Sequence, residues 1–125
     1  MAKTILIVDD SSSIRQVVGI TLKGGGYNVI EAVDGVDALT KLNGQKINLI
    51  VSDVNMPNMD GISLVKKVKE IPDYKFTPIL MLTTESEQSM MEKGKAAGAK
   101  AWLVKPFQPA ILLAAISKLA WSRWR

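Results

Sequence analysis

Cysteine and histidine are both absent from this 125-residue chain. Without cysteine there is no disulfide, no thiolate metal site and no thiol nucleophile. Without histidine there is no imidazole base, no histidine phosphocarrier and no imidazole ligand. Any metal must be held by oxygen, which favours a hard cation such as Mg2+. Long hydrophobic runs are missing as well: none approaches the roughly 18–20 apolar residues that cross a bilayer. The opening residues, Met1-Ala2-Lys3-Thr4, lack the charged region, apolar stretch and cleavage site of a signal peptide. A cytoplasmic protein without membrane association is expected. No linker, internal repeat or low-complexity tract interrupts the chain, so one domain over residues 1–125 is expected, with no attached output domain.

The residues present suit a folded core. Apolar types make up 47% of the chain and charged types 22%, the balance of a globular domain. The net charge of +4 comes from lysines spread along the chain. They read as solvated helix faces and as cations favoured at helix C-termini, so no nucleic-acid partner is expected. Only Ser122-Arg123-Trp124-Arg125 forms a basic cluster, and with Trp121 it has no assigned role.

Short apolar runs alternate with segments of helical period. Thr4–Val8 reads as a strand. Ser11, Ser12 and Ser13 are competent N-caps for a helix whose face is Ile14, Val17, Val18, Thr21 and Leu22, stopped by Gly24-Gly25-Gly26. Tyr27–Ala32 is a second strand, and Asp34 caps a short helix with Val36, Leu39 and Leu42 inward. Ile47–Ser52 is a third strand, followed after a Pro/Gly turn by a helix marked by Ile62, Leu64, Val65 and Val68. Ile79–Leu82 is a fourth strand, ending in Thr83-Thr84. Ser86 or Glu87 starts a weakly amphipathic helix with Met90, Met91, Ala96 and Ala97 as its apolar residues, closing at Gly98. Ala101–Val104 is the fifth strand. Pro109 suits the first turn of a helix with Leu112, Leu113, Ile116, Leu119 and Ala120 on its face. Five strand–helix pairs with continuously apolar strands predict an α/β fold, a doubly wound parallel sheet covered on both sides.

Ligands of such sheets sit beyond the carboxyl ends of the strands. Asp9, Asp10, Asp53, Thr83 and Lys105 all fall at or just past such ends, on strands one, three, four and five. Crowded carboxylates repel unless a cation joins them. A divalent cation such as Mg2+ fits between Asp10 and Asp53, with Asp9 reached through water. Asp53 is then a candidate nucleophile, since carboxylates form acyl phosphates and a metal and a lysine offset charge on the transferring group. The Thr83 hydroxyl is placed to donate to a phosphate oxygen, and Lys105 to pair with its opposite edge. Each residue alone also has an ordinary reading: Asp9 as a turn or cap, Asp60-Gly61 as a plain turn, Thr83 as a cap, Lys105-Pro106 as a surface turn. Their joint placement favours a phosphoryl site.

At these residues the chain resembles the receiver domain of two-component response regulators. The similarity runs from about Lys3 to about Leu119. It rests on Asp9-Asp10, on Asp53-Val54-Asn55-Met56-Pro57-Asn58-Met59-Asp60-Gly61, on Thr83 and on Lys105-Pro106-Phe107. The resemblance implies a flavodoxin-like (CheY-like) sheet of five strands in the order 2-1-3-4-5. It implies that Asp53 takes a phosphoryl group from a sensor histidine kinase. Mg2+ would be held by Asp10, Asp53 and the carbonyl of Asn55, with Asp9 assisting through water. Lys105 would contact the phosphate and precede a cis proline. Thr83 would move toward the phosphate, and an aromatic on strand five, here Trp102, would swing inward and reshape the face made by helix four, strand five and helix five. Thr83-Thr84-Glu85-Ser86 and Ala97 to Phe107 look most like stand-alone CheY-type chemotaxis regulators.

Two departures stand out. Trp102 occupies a position where the family often has Tyr or Phe, and its indole donates only through the ring N–H; as an ordinary residue it is a half-buried strand aromatic. Thr84 is bulkier than the small residue often found there, which narrows access to Asp53. Asn55 and Glu85 sit two positions after Asp53 and Thr83, where the resemblance places residues that tune acyl-phosphate hydrolysis; neither is a strong barrier, and a signal lasting seconds to minutes is expected. Ala99, Lys100, Trp102 and Ile111 are candidates for the output face, with core packing the other reading of Ile111. Expected partners are a sensor histidine kinase and a flagellar motor switch protein or a phosphatase, and the expected state is a monomer or weak dimer. The expected role is a switch and not an enzyme, beyond self-phosphorylation and autodephosphorylation. The alternatives are a non-chemotaxis phosphorelay receiver or phosphate sink, a small Mg2+-dependent phosphatase with an Asp nucleophile, and a flavin-binding domain. The second needs an acid where Asn55 stands, and a cap segment. The third is poorly served by crowded acids.

Overall fold

The computed structural model describes residues 2–121. The terminal Ser122, Arg123, Trp124 and Arg125, whose role the sequence left open, lie outside the described residues. The chain alternates β1 (Thr4–Val8), α1 (Ser12–Gly24), β2 (Asn28–Ala32), α2 (Gly35–Lys41), β3 (Leu49–Ser52), α3 (Gly61–Lys69), β4 (Ile79–Thr83), α4 (Gln88–Ala97), β5 (Ala101–Val104) and α5 (Pro109–Ala120). The strands form one parallel sheet in the order β2-β1-β3-β4-β5. The expected fold and strand order are both present.

Continuous apolar strands arise because each strand feeds two cores. Leu6, Val8, Ile50, Ile79 and Met81 point to a cluster with Ala38 of α2 and with Ile62, Leu64, Val65 and Val68 of α3. Their neighbours Ile5, Ile7, Leu49, Val51, Leu80 and Leu82 point to the other face, with Val18 and Leu22 of α1 and Leu112 and Ile116 of α5. The side-chain period of two turns each apolar run into lining for two layers.

Helix starts follow the expected chemistry at α1, α2 and α3. Ser11, Asp34 and Asp60 accept from the amides of Ile14, Asp37 and Ser63 at 3.3, 2.8 and 2.8 Å. Helix α4 has no such cap: it starts at Gln88, and Glu87 precedes it without a side-chain bond. Gly98 ends α4 at φ +122°, a conformation that favours glycine.

Two residues expected inside are exposed. Val17 is 51% and Val36 48% accessible. Val17 lies at the edge of an apolar arc whose centre is Val18 and Leu22, and Val36 sits in the first turn of a seven-residue helix whose inward place belongs to Ala38. Ile111 is 51% exposed, so its core reading fails. Two strands are shorter than expected. Tyr27 is buried but precedes β2, and Ile47 and Asn48 precede β3. Asn48 nonetheless continues the pairing with Thr4, accepting from its amide through Oδ1 and donating to its carbonyl, both at 2.8 Å.

Candidate functional site

The register delivers the acids. Val8 of β1 pairs with Ser52 of β3, so the chain leaves both strands at one level, and Asp53 N–H donates to the Val8 carbonyl at 2.9 Å. Asp9, Asp10 and Asp53 follow directly, each with a carboxylate oxygen within 4.8 Å of the others. Thr83 ends β4, and Lys105 follows β5, its N–H donating to the Thr83 carbonyl at 2.8 Å. The sequence-predicted residues Asp9, Asp10, Asp53, Thr83 and Lys105 thus meet at one end of the sheet. The Lys105-Pro106 bond is cis, as expected.

Lys105 ties the acids together. Its ammonium lies 2.8 Å from Asp9 Oδ2 and 3.0 Å from Asp53 Oδ2, with all three side chains largely shielded. The other oxygens are partly used: Asp9 Oδ1 accepts from Ser11 N–H at 2.9 Å and Asp53 Oδ1 from Val54 N–H at 2.6 Å. The Asp10 carboxylate is exposed, and among the described residues no donor holds it. Three carboxylates against one ammonium leave two negative charges, which a divalent cation would neutralise. All donors are hard oxygens, so this set fits Mg2+.

Thr83 is fully buried, and its Oγ1 accepts from Glu85 N–H at 3.2 Å. In this structure it caps the turn that follows, as its ordinary reading expected. Asn55 is exposed on the loop after Asp53. Trp102 is half-buried, and its ring N–H donates to the Glu85 carbonyl at 2.9 Å. The indole is thus already turned inward against α4. Thr84 is exposed beside the site.

Several residues at the site were not legible in sequence. The Arg15 guanidinium donates to the Asp9 carbonyl at 2.7 Å and to Glu31 at 3.0 Å. Asn58, at φ +69°, donates to Asp34 at 2.7 Å, pinning the Asp53 loop to the start of α2. Asparagine tolerates this left-handed conformation, the one signal that could have marked it. A Cβ on Gly94 would lie 2.6 Å from Trp102 Cζ3. Glycine inside a helix costs about 1 kcal/mol relative to alanine, so an internal glycine is a cue to look for a close neighbour.

Burial works against the Lys105 charge, but hydrogen bonds to Asp9 and Asp53, and their charges, outweigh it and raise its pKa above the ordinary 10.5. Stability from this group is full below pH 10.5 and is lost as pH rises through its higher folded value. Lys69 is lowered, first by burial and then by the Lys100 charge. Its contribution has the opposite sign: stability rises as pH climbs through its folded value toward 10.5. The Asp34 carboxyl is lowered, first by the Asp37 amide and then by Asn58. Its contribution is present above pH 3.8 and fades as pH falls through the folded value. The urea midpoint is expected to decline at both extremes. Asp34→Asn should flatten the acid limb, and Lys105→Met the limb above pH 10.5.

The site is an acid triplet and a lysine at the carboxyl edge of a doubly wound parallel sheet. The chain belongs to the response-regulator receiver family, whose domain model matches residues 5–117. It is 41% identical over 110 residues to the chemotaxis protein CheY1 of Helicobacter pylori, spanning 86% of this chain and 89% of that protein. Among solved structures it superposes on the chemotaxis protein CheY4 of Vibrio cholerae with a TM-score of 0.91 at 50% identity, covering 95% of this chain and 99% of that one. It also matches the receiver domain of a sensor histidine kinase from Pseudomonas aeruginosa at a TM-score of 0.90 and 28% identity, covering 98% and 100% of the two chains. That domain was solved with a magnesium ion coordinated in its active-site cleft. Among the described residues no helix is long and apolar enough to cross a membrane.

Proposed function

We propose that the chain is a phosphorylation switch in which Asp53 takes a phosphoryl group from a phosphohistidine of a sensor histidine kinase. The observation that carries this reading is the Lys105 ammonium bridging Asp9 and Asp53 beside Asp10, which has no partner among the described residues. An Asp53 carboxylate oxygen forms the new bond to phosphorus. The bond from phosphorus to the donor imidazole nitrogen breaks, and its electron pair stays on that nitrogen, which takes a proton. Lys105 sits where it can follow the charge from the Asp53 carboxylate to the arriving phosphoryl oxygens. The Thr83 hydroxyl, released from the Glu85 amide, donates to another. Mg2+ held by Asp10, Asp53 and the Asn55 carbonyl, with Asp9 through water, would supply further charge neutralisation on the transferring group.

Phosphate on Asp53 favours one conformation because Thr83 and Lys105 contact it better there. The output face lies at α4 and β5, where a groove of about 620 Å³ is lined by residues including Met91, Lys95, Ala99, Lys100 and Trp102. Ile111 of α5 adds an exposed apolar side chain. The chemotaxis relative supports a role in chemotaxis, in which the partners would be a flagellar motor switch protein or a phosphatase in the cytoplasm. A phosphate sink is the second reading within the family. An Asp-nucleophile phosphatase is disfavoured because Asn55, an amide, stands where its general acid would be needed. Intact mass after incubation with acetyl phosphate tests the reading. One added phosphate that disappears with EDTA supports it. No added phosphate from either acetyl phosphate or a phosphorylated kinase overturns it.

Trp102 gives the switch a local reporter. The indole occupies space that exists because Gly94 has no side chain. Gly94→Ala is expected to push the ring out of this slot and break its bond to Glu85. The helix-propensity gain of about 1 kcal/mol is opposed by overpacking of about 1–3 kcal/mol. In a background with Trp121→Phe and Trp124→Phe, the variant should show red-shifted emission and stronger acrylamide quenching. Unchanged emission would mean that α4 moves instead.

A further inference from the structure

The Asp10 carboxylate must face the site if it is to bind a metal, yet no side-chain hydrogen bond aims it among the described residues. What the surrounding structure can fix is the backbone that carries its Cα–Cβ bond. The carbonyl of Asp9 belongs to the peptide plane that joins Asp9 to Asp10, and a peptide plane moves as one rigid unit. Arg15 donates to that carbonyl through an Nη at 2.7 Å. Its Nε is meanwhile fixed by Glu31 of β2 at 3.0 Å. Arg15 lies on the first turns of α1, so one guanidinium links α1, β2 and the exit of β1.

We propose that Arg15 is a positioning residue for the divalent cation, acting by holding the Asp9–Asp10 peptide so that the Asp10 carboxylate turns toward Asp53. This rests on the proposed metal role of Asp10. Glu31 offsets the Arg15 charge, so the pair adds little field at the acids and its effect is chiefly geometric. Arginine suits the task because its planar fork makes two directed bonds at once, which lysine cannot reproduce. Partners that orient metal ligands from outside the coordination sphere typically matter by about 10–100-fold in affinity.

The test is Mg2+ binding by calorimetry to the full chain, wild type beside Arg15→Ala, Arg15→Lys and the double variant Arg15→Ala/Glu31→Ala. Amide exchange at Ser11, whose N–H donates to Asp9 Oδ1 at 2.9 Å, is followed in each. The expected result is a Kd raised about tenfold in Arg15→Ala, faster exchange at that amide, and only partial recovery in Arg15→Lys. The double variant, which removes both charges together, should bind as weakly as Arg15→Ala. It also covers the case in which an unpaired Glu31 distorts the single variant. A double variant with wild-type affinity and exchange overturns the role of Arg15 alone. A lowered melting temperature with unchanged Kd also overturns it, since Arg15 would then only brace the fold. A wild-type chain that binds no Mg2+ would overturn the metal reading, and the role of Arg15 with it.

Discussion

Lys105→Met is expected to slow phosphoryl uptake by about 100-fold and to cost about 3 kcal/mol of folding stability at neutral pH without Mg2+. Both effects come from one atom. The Lys105 ammonium contacts Asp9 and Asp53, and the side chains of all three are 12% exposed or less. Methionine keeps the length and apolar stem but leaves three crowded carboxylates without their internal cation. These like charges repel, and that repulsion is the source of the lost stability. Mg2+ should bind the variant more tightly, because the residual charge at the site becomes more negative. Urea unfolding at neutral pH, with and without Mg2+, reads each consequence. A variant as stable as wild type at neutral pH without Mg2+ would mean that the carboxylates are relieved by solvent and not by the lysine.

Gly61→Ala is the second large effect, expected to destabilise the fold by about 3 kcal/mol. Gly61 opens α3, and its amide donates to the Val54 carbonyl at 2.8 Å. A Cβ there would fall on the Asp53 carbonyl and come within 2.8 Å of Met81 Cε. The carbonyl is backbone and cannot rotate aside; it also accepts from Ser52 Oγ at 2.8 Å. Relief must move the Asp53 loop, so Mg2+ affinity should fall along with stability. Gly19→Ala is the matched control. It lies inside α1, where no atom beyond its chain neighbours and the helix's own backbone comes within 4 Å of the new methyl, and should be stabilising by roughly 0.5–1 kcal/mol. Opposite signs at these two glycines, read by urea midpoint, distinguish a steric requirement from general intolerance of substitution.

The sheet was legible because its strands are buried on both faces, so Ile5–Val8, Leu49–Val51 and Ile79–Leu82 stand out as unbroken apolar runs. The acids were legible because each interrupts such a run at its carboxyl end. Periodicity could not show where a helix's apolar arc stops, and so it placed Val17 and Val36 inside. The residues that aim the site were illegible for another reason. Arg15 meets Glu31 sixteen positions away and a backbone oxygen that has no sequence signature. The Gly94–Trp102 contact depends on how α4 lies across β5. Sequence alone left Trp102 between an inward swing and an ordinary half-buried ring, and the glycine that admits it became visible only in the fold.

The central claim is that the phosphoryl group is carried by Asp53. Borohydride reduces an acyl phosphate of aspartate to homoserine. The most direct measurement is peptide mass mapping of the chain treated with acetyl phosphate and Mg2+ and then reduced, beside an Asp53→Asn control. Homoserine at position 53, absent from the control and from samples with EDTA, is the expected result. Homoserine at Asp9 or Asp10 instead, in a sample where Asp53 is unmodified, would contradict the account.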